Sequence, residues 1–134
     1  MANNPAAIGS NLCCGPAQMG NVVLWKPSSD ALLGSYLIYQ ILRESGLPDG
    51  VIQFLPGGVE TSKAMIRDRQ MGGLHFTGST KTFDTIWGDI AKRLNKYEAY
   101  PRIVGETGGK NFCFVHPSAV GQDDNIINSL CAPF

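Results

Sequence analysis

The residues that could do chemistry collect in four short turns: Lys26-Pro27-Ser28, Pro56-Gly57-Gly58, Phe76-Thr77-Gly78-Ser79 and Gly105 to Lys110. Gly78-Ser79 lies between an apolar run and an amphipathic segment, where unpaired backbone N–H groups and a positive helix end can hold a pyrophosphate. A turn of this composition also serves simply to reverse the chain. Glu106 stands between Gly105 and Gly108-Gly109, so its carboxylate can approach a bound molecule closely, and partial burial would raise its pKa toward a useful range. Capping a helix or pairing with Lys110 is the plainer role. The dinucleotide fingerprint GxGxxG is absent. The phosphate loop GxxxxGK[ST] fails too, because its first position falls on Val104 and Asn111 follows Lys110.

The remaining candidates read as structural. Cys13, Cys14, Cys113 and Cys131 show no CxxC spacing, and adjacent Cys13 and Cys14 do not readily bridge, so neither a disulfide framework nor any metal site is expected. Reduced thiols in an intracellular compartment, packed as small hydrophobes, fit better. His75 lies inside an expected strand and His116 precedes Pro117 at a strand end, positions where histidine is more often structural than catalytic.

Positioning those turns requires alternating strands and helices. Asn21 to Trp25 is an apolar run closed by Lys26-Pro27, a strand buried on both faces. Ser28, Ser29 or Asp30 can cap a helix over Ala31 to Glu44, where Leu, Tyr and Ile recur at helical intervals before Gly46-Leu47-Pro48. Val51 to Leu55 is a second strand, Glu60 to Arg69 a second, more polar helix, Gly73 to Thr77 a third strand, and Phe83 to Leu94 a third helix with Phe83, Ile86, Trp87, Ile90 and Leu94 on one face. Cys13 and Cys14 fall in a helix before all of these. Apolar segments at Arg102 to Val104 and Phe112 to Val115 follow. This alternation predicts a three-layer α/β fold with a parallel sheet, its strands near residues 21 to 25, 51 to 55, 73 to 77 and 102 to 104. Ligands bind such sheets at the carboxyl ends of the strands. Lys26, Gly78 and Ser79 are therefore expected in one cofactor-sized cleft, at the ends of adjacent strands.

Composition narrows the function classes. The 134 residues carry 11 Lys plus Arg against 11 Asp plus Glu, so net charge offers no attraction to nucleic acid or an anionic membrane. The length suits one core and one domain. Met1 to Trp25 has no charged side chain, yet Asn3, Asn4, Asn11, Gln18 and Asn21 interrupt every apolar stretch and no basic n-region leads it, so neither a signal peptide nor a membrane span is expected.

Three of the turns, with their surroundings, fall in a specific order and spacing: Gly20-Asn21-Val22-Val23-Leu24-Trp25-Lys26-Pro27-Ser28, then Phe76-Thr77-Gly78-Ser79, then Gly105-Glu106-Thr107-Gly108-Gly109-Lys110-Asn111. Together they resemble the aldehyde dehydrogenase superfamily over about residues 3 to 119, and more loosely over 124 to 134. Ala7-Ile8-Gly9, Gly46-Leu47-Pro48, Ile52-Gln53-Phe54 and Phe114-Val115-His116 resemble the branch that oxidises L-glutamate gamma-semialdehyde to glutamate in proline catabolism.

The resemblance implies that residues 1–134 form a single partial NAD-binding domain of Rossmann-like type. It implies that Lys26 bonds the adenosine ribose of NAD, with Ser28 or Ser29 in place of the Glu found three residues after this Lys in many relatives. It implies that Gly78 and Ser79 hold the pyrophosphate, with Thr80, Lys81 and Thr82 following and Phe83 where many relatives keep a second Gly. Glu106 matches the general base that activates water against a thioester, and Asn4 the amide that donates to the oxyanion. The family's nucleophilic Cys lies in a Gly-Gln-x-Cys setting that this chain lacks; Cys131 is closer to Glu106 than the family's spacing. The expectation is a partial chain that does not oxidise an aldehyde alone. The family also implies a small-molecule aldehyde substrate, a homo-oligomer, and the mitochondrial matrix, with the cytoplasm as alternative.

Overall fold

The computed structural model describes residues 5–108, 114 and 116–119. A π turn at Pro5–Gly9 leads into α1 (Ser10–Gln18) and β1 (Val23–Trp25). A 3-10 turn at Ser29–Ala31 opens α2 (Leu32–Glu44), followed by β2 (Ile52–Phe54), α3 (Val59–Arg67), β3 (Gly73–Gly78), α4 (Thr80–Ala91) and β4 (Arg102–Thr107). Pro117–Ala119 is a further 3-10 turn. The expected segment Phe112 to Val115 lies outside the described residues except for Phe114.

The α/β class and the parallel pairing are as the alternation predicts. β1 pairs parallel with β2, Val23 opposite Ile52 and Trp25 opposite Phe54, and the ladder extends through Leu55 N–H to Trp25 C=O at 2.9 Å. β3 pairs parallel with β4 over six residues, from Gly73 opposite Arg102 to Gly78 opposite Thr107. The expectation that Lys26 and Ser79 end adjacent strands is corrected: among the described residues the strands form two two-stranded sheets, and α3 carries the chain from β2 to a strand whose partner is β4. Alternation specifies element type and crossover, whereas the identity of a strand's neighbour is decided by distant packing.

Local chemistry accounts for the helix ends. α2 stops in a Schellman motif, with Leu47 N–H donating to Leu42 C=O at 3.0 Å and Gly46 N–H to Arg43 C=O at 3.1 Å, while Gly46 takes φ +97° as only glycine does cheaply. α4 starts a turn earlier than its apolar period implies, because Ser79 Oγ accepts the Thr82 N–H at 3.2 Å. The expected cap of α2 is not formed: its N-cap is Ala31, and neither that position nor Ser28 makes a side-chain capping bond. The intervening 3-10 turn moves Ser28 away from the first turn of the α-helix.

The deepest packing lies in the first sheet. Cys13, Trp25 and Ile52 are buried against Ile38, Tyr39, Leu42 and Phe54. The Phe54 ring meets Trp25 edge-on at 5.4 Å and stacks on Tyr39 at 5.4 Å. Gly9 lets the π turn approach this cluster, since a Cβ there would stand 3.1 Å from the Trp25 ring. Burial on both faces of each strand is not found: Leu24 is 47% exposed and Val104 57%. The described helices leave one side of those residues uncovered.

Candidate functional site

The carboxyl end of β1 presents the first group of candidates. Lys26, half-buried, donates from Nζ to the carbonyls of Pro27 at 3.2 Å and Gly57 at 3.3 Å, which tethers the end of β1 to the turn after β2. Gly57 is required there because a Cβ would fall 2.1 Å from Thr61 Oγ1 at the start of α3. Beside it, Ser28 Oγ is buried without a hydrogen-bond partner among the described residues. A buried hydroxyl left unpaired costs about 1–3 kcal/mol, so this group stands ready for an incoming donor or acceptor. Exposed Ser29 contacts Asp30 Oδ1 at 3.4 Å. Ser29 and Asp30 edge an open, mainly apolar cavity of about 490 Å³ whose walls include Leu33, Tyr36, Phe54 and Pro56. An aromatic-walled recess beside a cation and hydroxyls suits a flat heteroaromatic ring carrying a sugar.

The second group lies where β3 meets α4. Gly78 packs so closely on Phe76 that a Cβ would stand 2.6 Å from that ring. Ser79 then caps α4, its Oγ also 2.7 Å from Thr82 Oγ1, so the positive end of a twelve-residue helix opens at Thr80, Lys81 and Thr82. Register brings the Glu106 strand alongside: Thr77 is opposite Glu106 and Gly78 opposite Thr107. Gly108, at φ +52°, turns the chain over the helix start, where a Cβ would approach Thr80 Oγ1 to 2.9 Å. The segment Gly105-Glu106-Thr107, whose composition reads as turn, is thus strand, because pairing with β3 overrides local preference. The expected partial burial of Glu106 is also corrected. Its side chain is exposed, at the outer strand of a two-stranded sheet where no described element covers it.

The structure therefore assembles Lys26, Ser28 and Ser29 at one sheet, and Gly78, Ser79, Thr80, Lys81 and Thr82 with Glu106 at the other. Asn4, Lys110, Cys113 and Cys131 lie outside the described residues. Phe83, where many relatives of the family keep a glycine, stacks on Phe76 at 5.8 Å and covers Gly105, at which a Cβ would fall 2.3 Å from its ring. His75 is exposed on β3, and His116 Nδ1 accepts the Ser118 N–H at 3.2 Å, a turn-forming role. Among the described residues no group of three or more His, Cys, Asp or Glu could hold a metal, and no helix is long and apolar enough to cross a membrane.

Sequence reasoning missed the cavity walls and the Gly57 carbonyl. Tyr36 and Phe54 follow helix and strand periods and so read as core; Pro56 beside Gly57-Gly58 was the available signal that a strand end opens there. A second cavity, of about 310 Å³, is lined by Lys63, Ile66, Arg67, Asp89, Lys92 and Arg93. It lies at the carboxyl ends of α3 and α4, where cations complement the negative helix ends and Arg93 Nη2 donates to Arg67 C=O at 3.2 Å.

Comparison with known proteins identifies the family. The model of the aldehyde dehydrogenase family matches residues 3–131. The chain is 54% identical over 116 residues to delta-1-pyrroline-5-carboxylate dehydrogenase of Agaricus bisporus, covering 87% of this chain and 21% of that protein. It is 52% identical over 134 residues to the probable delta-1-pyrroline-5-carboxylate dehydrogenase of Schizosaccharomyces pombe, covering 98% and 24%. Among solved structures, the delta-pyrroline-5-carboxylate dehydrogenase of Mycobacterium tuberculosis bound with NAD superposes with TM-score 0.75 at 47% identity, over 78% of this chain and 20% of that one. The chain thus spans about a fifth to a quarter of the length of the relatives it matches. With a family match over nearly its whole length, this chain belongs to the aldehyde dehydrogenase family.

Proposed function

We propose that residues 1–134 form one partial domain that binds NAD, and that it belongs to an enzyme oxidising L-glutamate gamma-semialdehyde to glutamate. The observation that carries the reading is the unpartnered buried hydroxyl of Ser28 beside Lys26 and the apolar recess, with a capped helix start at the other sheet. NAD fits these residues: Lys26, Ser28 and Ser29 would hold the adenosine ribose, and Gly78, Ser79 and Thr80 to Thr82 the pyrophosphate. When bound, NAD supplies a hydride acceptor. Glu106 would take a proton from the water that opens the thioester, and Asn4 would donate to the oxyanion. In this reading the protein works as a homo-oligomer in the mitochondrial matrix; for the compartment, the support is that the relatives from Dictyostelium discoideum and Rattus norvegicus are named as mitochondrial.

Titrating the chain with NAD tests the reading. Lys26→Ala should weaken binding by about 1 kcal/mol or more, as loss of a charged hydrogen bond does. An unchanged affinity would remove Lys26 from the site.

A second reading is that residues 1–134 on their own bind a dinucleotide without turnover, since they contain no Gly-Gln-x-Cys. The chain alone should show no NAD-dependent oxidation of glutamate semialdehyde, because every later step depends on the thiohemiacetal that a cysteine forms. Turnover abolished by Cys131→Ser would overturn this and make Cys131 the nucleophile.

A further inference from the structure

We propose that Cys13 and Cys14 form a two-thiol site that chelates a trivalent arsenical. Cys13 and Cys14 are adjacent on α1, and their Sγ atoms stand 3.9 Å apart. Two thiolates sharing one soft ion at bond lengths of about 2.3 Å lie less than roughly 4.6 Å apart, so the pair is already within bridging range. Oxidation to a disulfide is the wrong chemistry for this pair. Adjacent Cα atoms are about 3.8 Å apart, closer than a disulfide ordinarily accepts. A structural zinc ion is equally unsuited, because it wants four ligands and the described residues offer no third ligating side chain here. A trivalent arsenical with one organic substituent needs only the two sulfurs.

Access to the pair comes from the second half of the helix. Cys14 is half-buried, and a Cβ at the following Gly15 would meet nothing within 4 Å, so space is open beside it. Pro16 lies inside α1, where it has no N–H to donate to the carbonyl four residues earlier and weakens the turn that holds Cys13. A nine-residue helix short of one backbone hydrogen bond yields more readily at this turn than an uninterrupted one. Cys13 is 1% exposed, and burial followed by the charge of Cys14 pushes its thiol up to about 12, so it reacts second, after Cys14 has anchored the arsenic. With phenylarsine oxide the balance is simple. Two As–S bonds form, the As–O bond breaks, and the two thiol protons leave with the oxide oxygen as water; nothing is oxidised or reduced.

The second thiol adds as an intramolecular step, worth about 100-fold or more in affinity. The test adds phenylarsine oxide to the chain in a Cys113→Ser, Cys131→Ser background, reading adduct mass and the number of thiols that still react with a disulfide reagent. The expected result is a one-to-one adduct that removes two thiols, is reversed by ethane-1,2-dithiol and resists an excess of a monothiol. Cys14→Ser, a near-isosteric change at a half-buried position on the edge of the core, should weaken the adduct at least about 100-fold. No adduct, an adduct that removes one thiol, or one of equal strength in Cys14→Ser would each overturn the proposal. Cys13→Ala, checked for folding by circular dichroism, should behave as Cys14→Ser does.

Discussion

The two sheets solve the same structural problem in opposite ways. β1 and β2 pair over only three residues each, yet they sit on the buried cluster of Cys13, Trp25 and Ile52 with Phe54 and Tyr39 packed around it. β3 and β4 pair over six residues, but every residue in them is exposed or half-buried, and the fully buried apolar positions near them are Ile66 and Ile90 on the helices. The first region rests on burial, and the second on a ladder of backbone bonds. The division follows the chemistry proposed for each. An adenosine wants a recess walled by packed aromatic rings, whereas a pyrophosphate wants backbone N–H groups at a helix start held by a long, regular strand.

Truncating one aromatic residue in each region breaks or confirms this contrast. Trp25→Ala removes a buried indole from the centre of the first core and should cost about 3–5 kcal/mol, read as a shift of the urea midpoint. Phe76→Ala in the second region removes a half-buried ring and should cost clearly less. Equal losses would show that the second sheet also depends on its packed face, and the distinction would fall.

The Ser79 cap gives a smaller effect that belongs to the second region alone. Ser79→Ala loses the bond to Thr82 N–H, worth about 0.5–2 kcal/mol of stability. Because the same residue begins the proposed pyrophosphate site, NAD affinity should fall together with stability, whereas Trp25→Ala should affect NAD only through folding. A calorimetric titration at a temperature where both variants remain folded separates the two.

Much of this arrangement was legible in residue order, and the part that was not has a common cause. The helical period of α2, its Gly46 stop and the apolar runs of β1 to β3 depend on neighbours a few residues away, so the sequence reveals them. The end of β4 at Thr107, the start of α4 at Thr80 and the separation into two sheets depend on distant partners or on a cap that apolar period does not register. At the candidate site, Lys26 at a strand end and Ser79 between a strand and a helix were legible as positions, since each follows a short apolar run. Ser28 reads both as a helix cap and, through the family resemblance, with Ser29 as a ribose contact; that it makes no cap bond and that its hydroxyl is buried without a partner among the described residues comes only from the fold.

The smallest effect tests α3, the helix that joins the two regions. Lys63 Nζ lies 2.8 Å from Glu60 Oε1 one turn earlier, and this hydrogen bond, then the lysine charge, holds the Glu60 carboxyl below its ordinary value of 4.5. A carboxyl whose pKa is lowered by folding stabilises the fold above its unfolded value and loses that contribution as the pH falls through its folded value. Wild type should therefore melt slightly above Glu60→Gln at neutral pH, and the gap should close in strong acid. Both groups are solvent-facing, so high salt should close it as well. A gap at neutral pH as large as that of Ser79→Ala, or one that high salt leaves intact, would mean that α3 holds the two sheets together through its charges, and that they are less independent than their separate ladders imply.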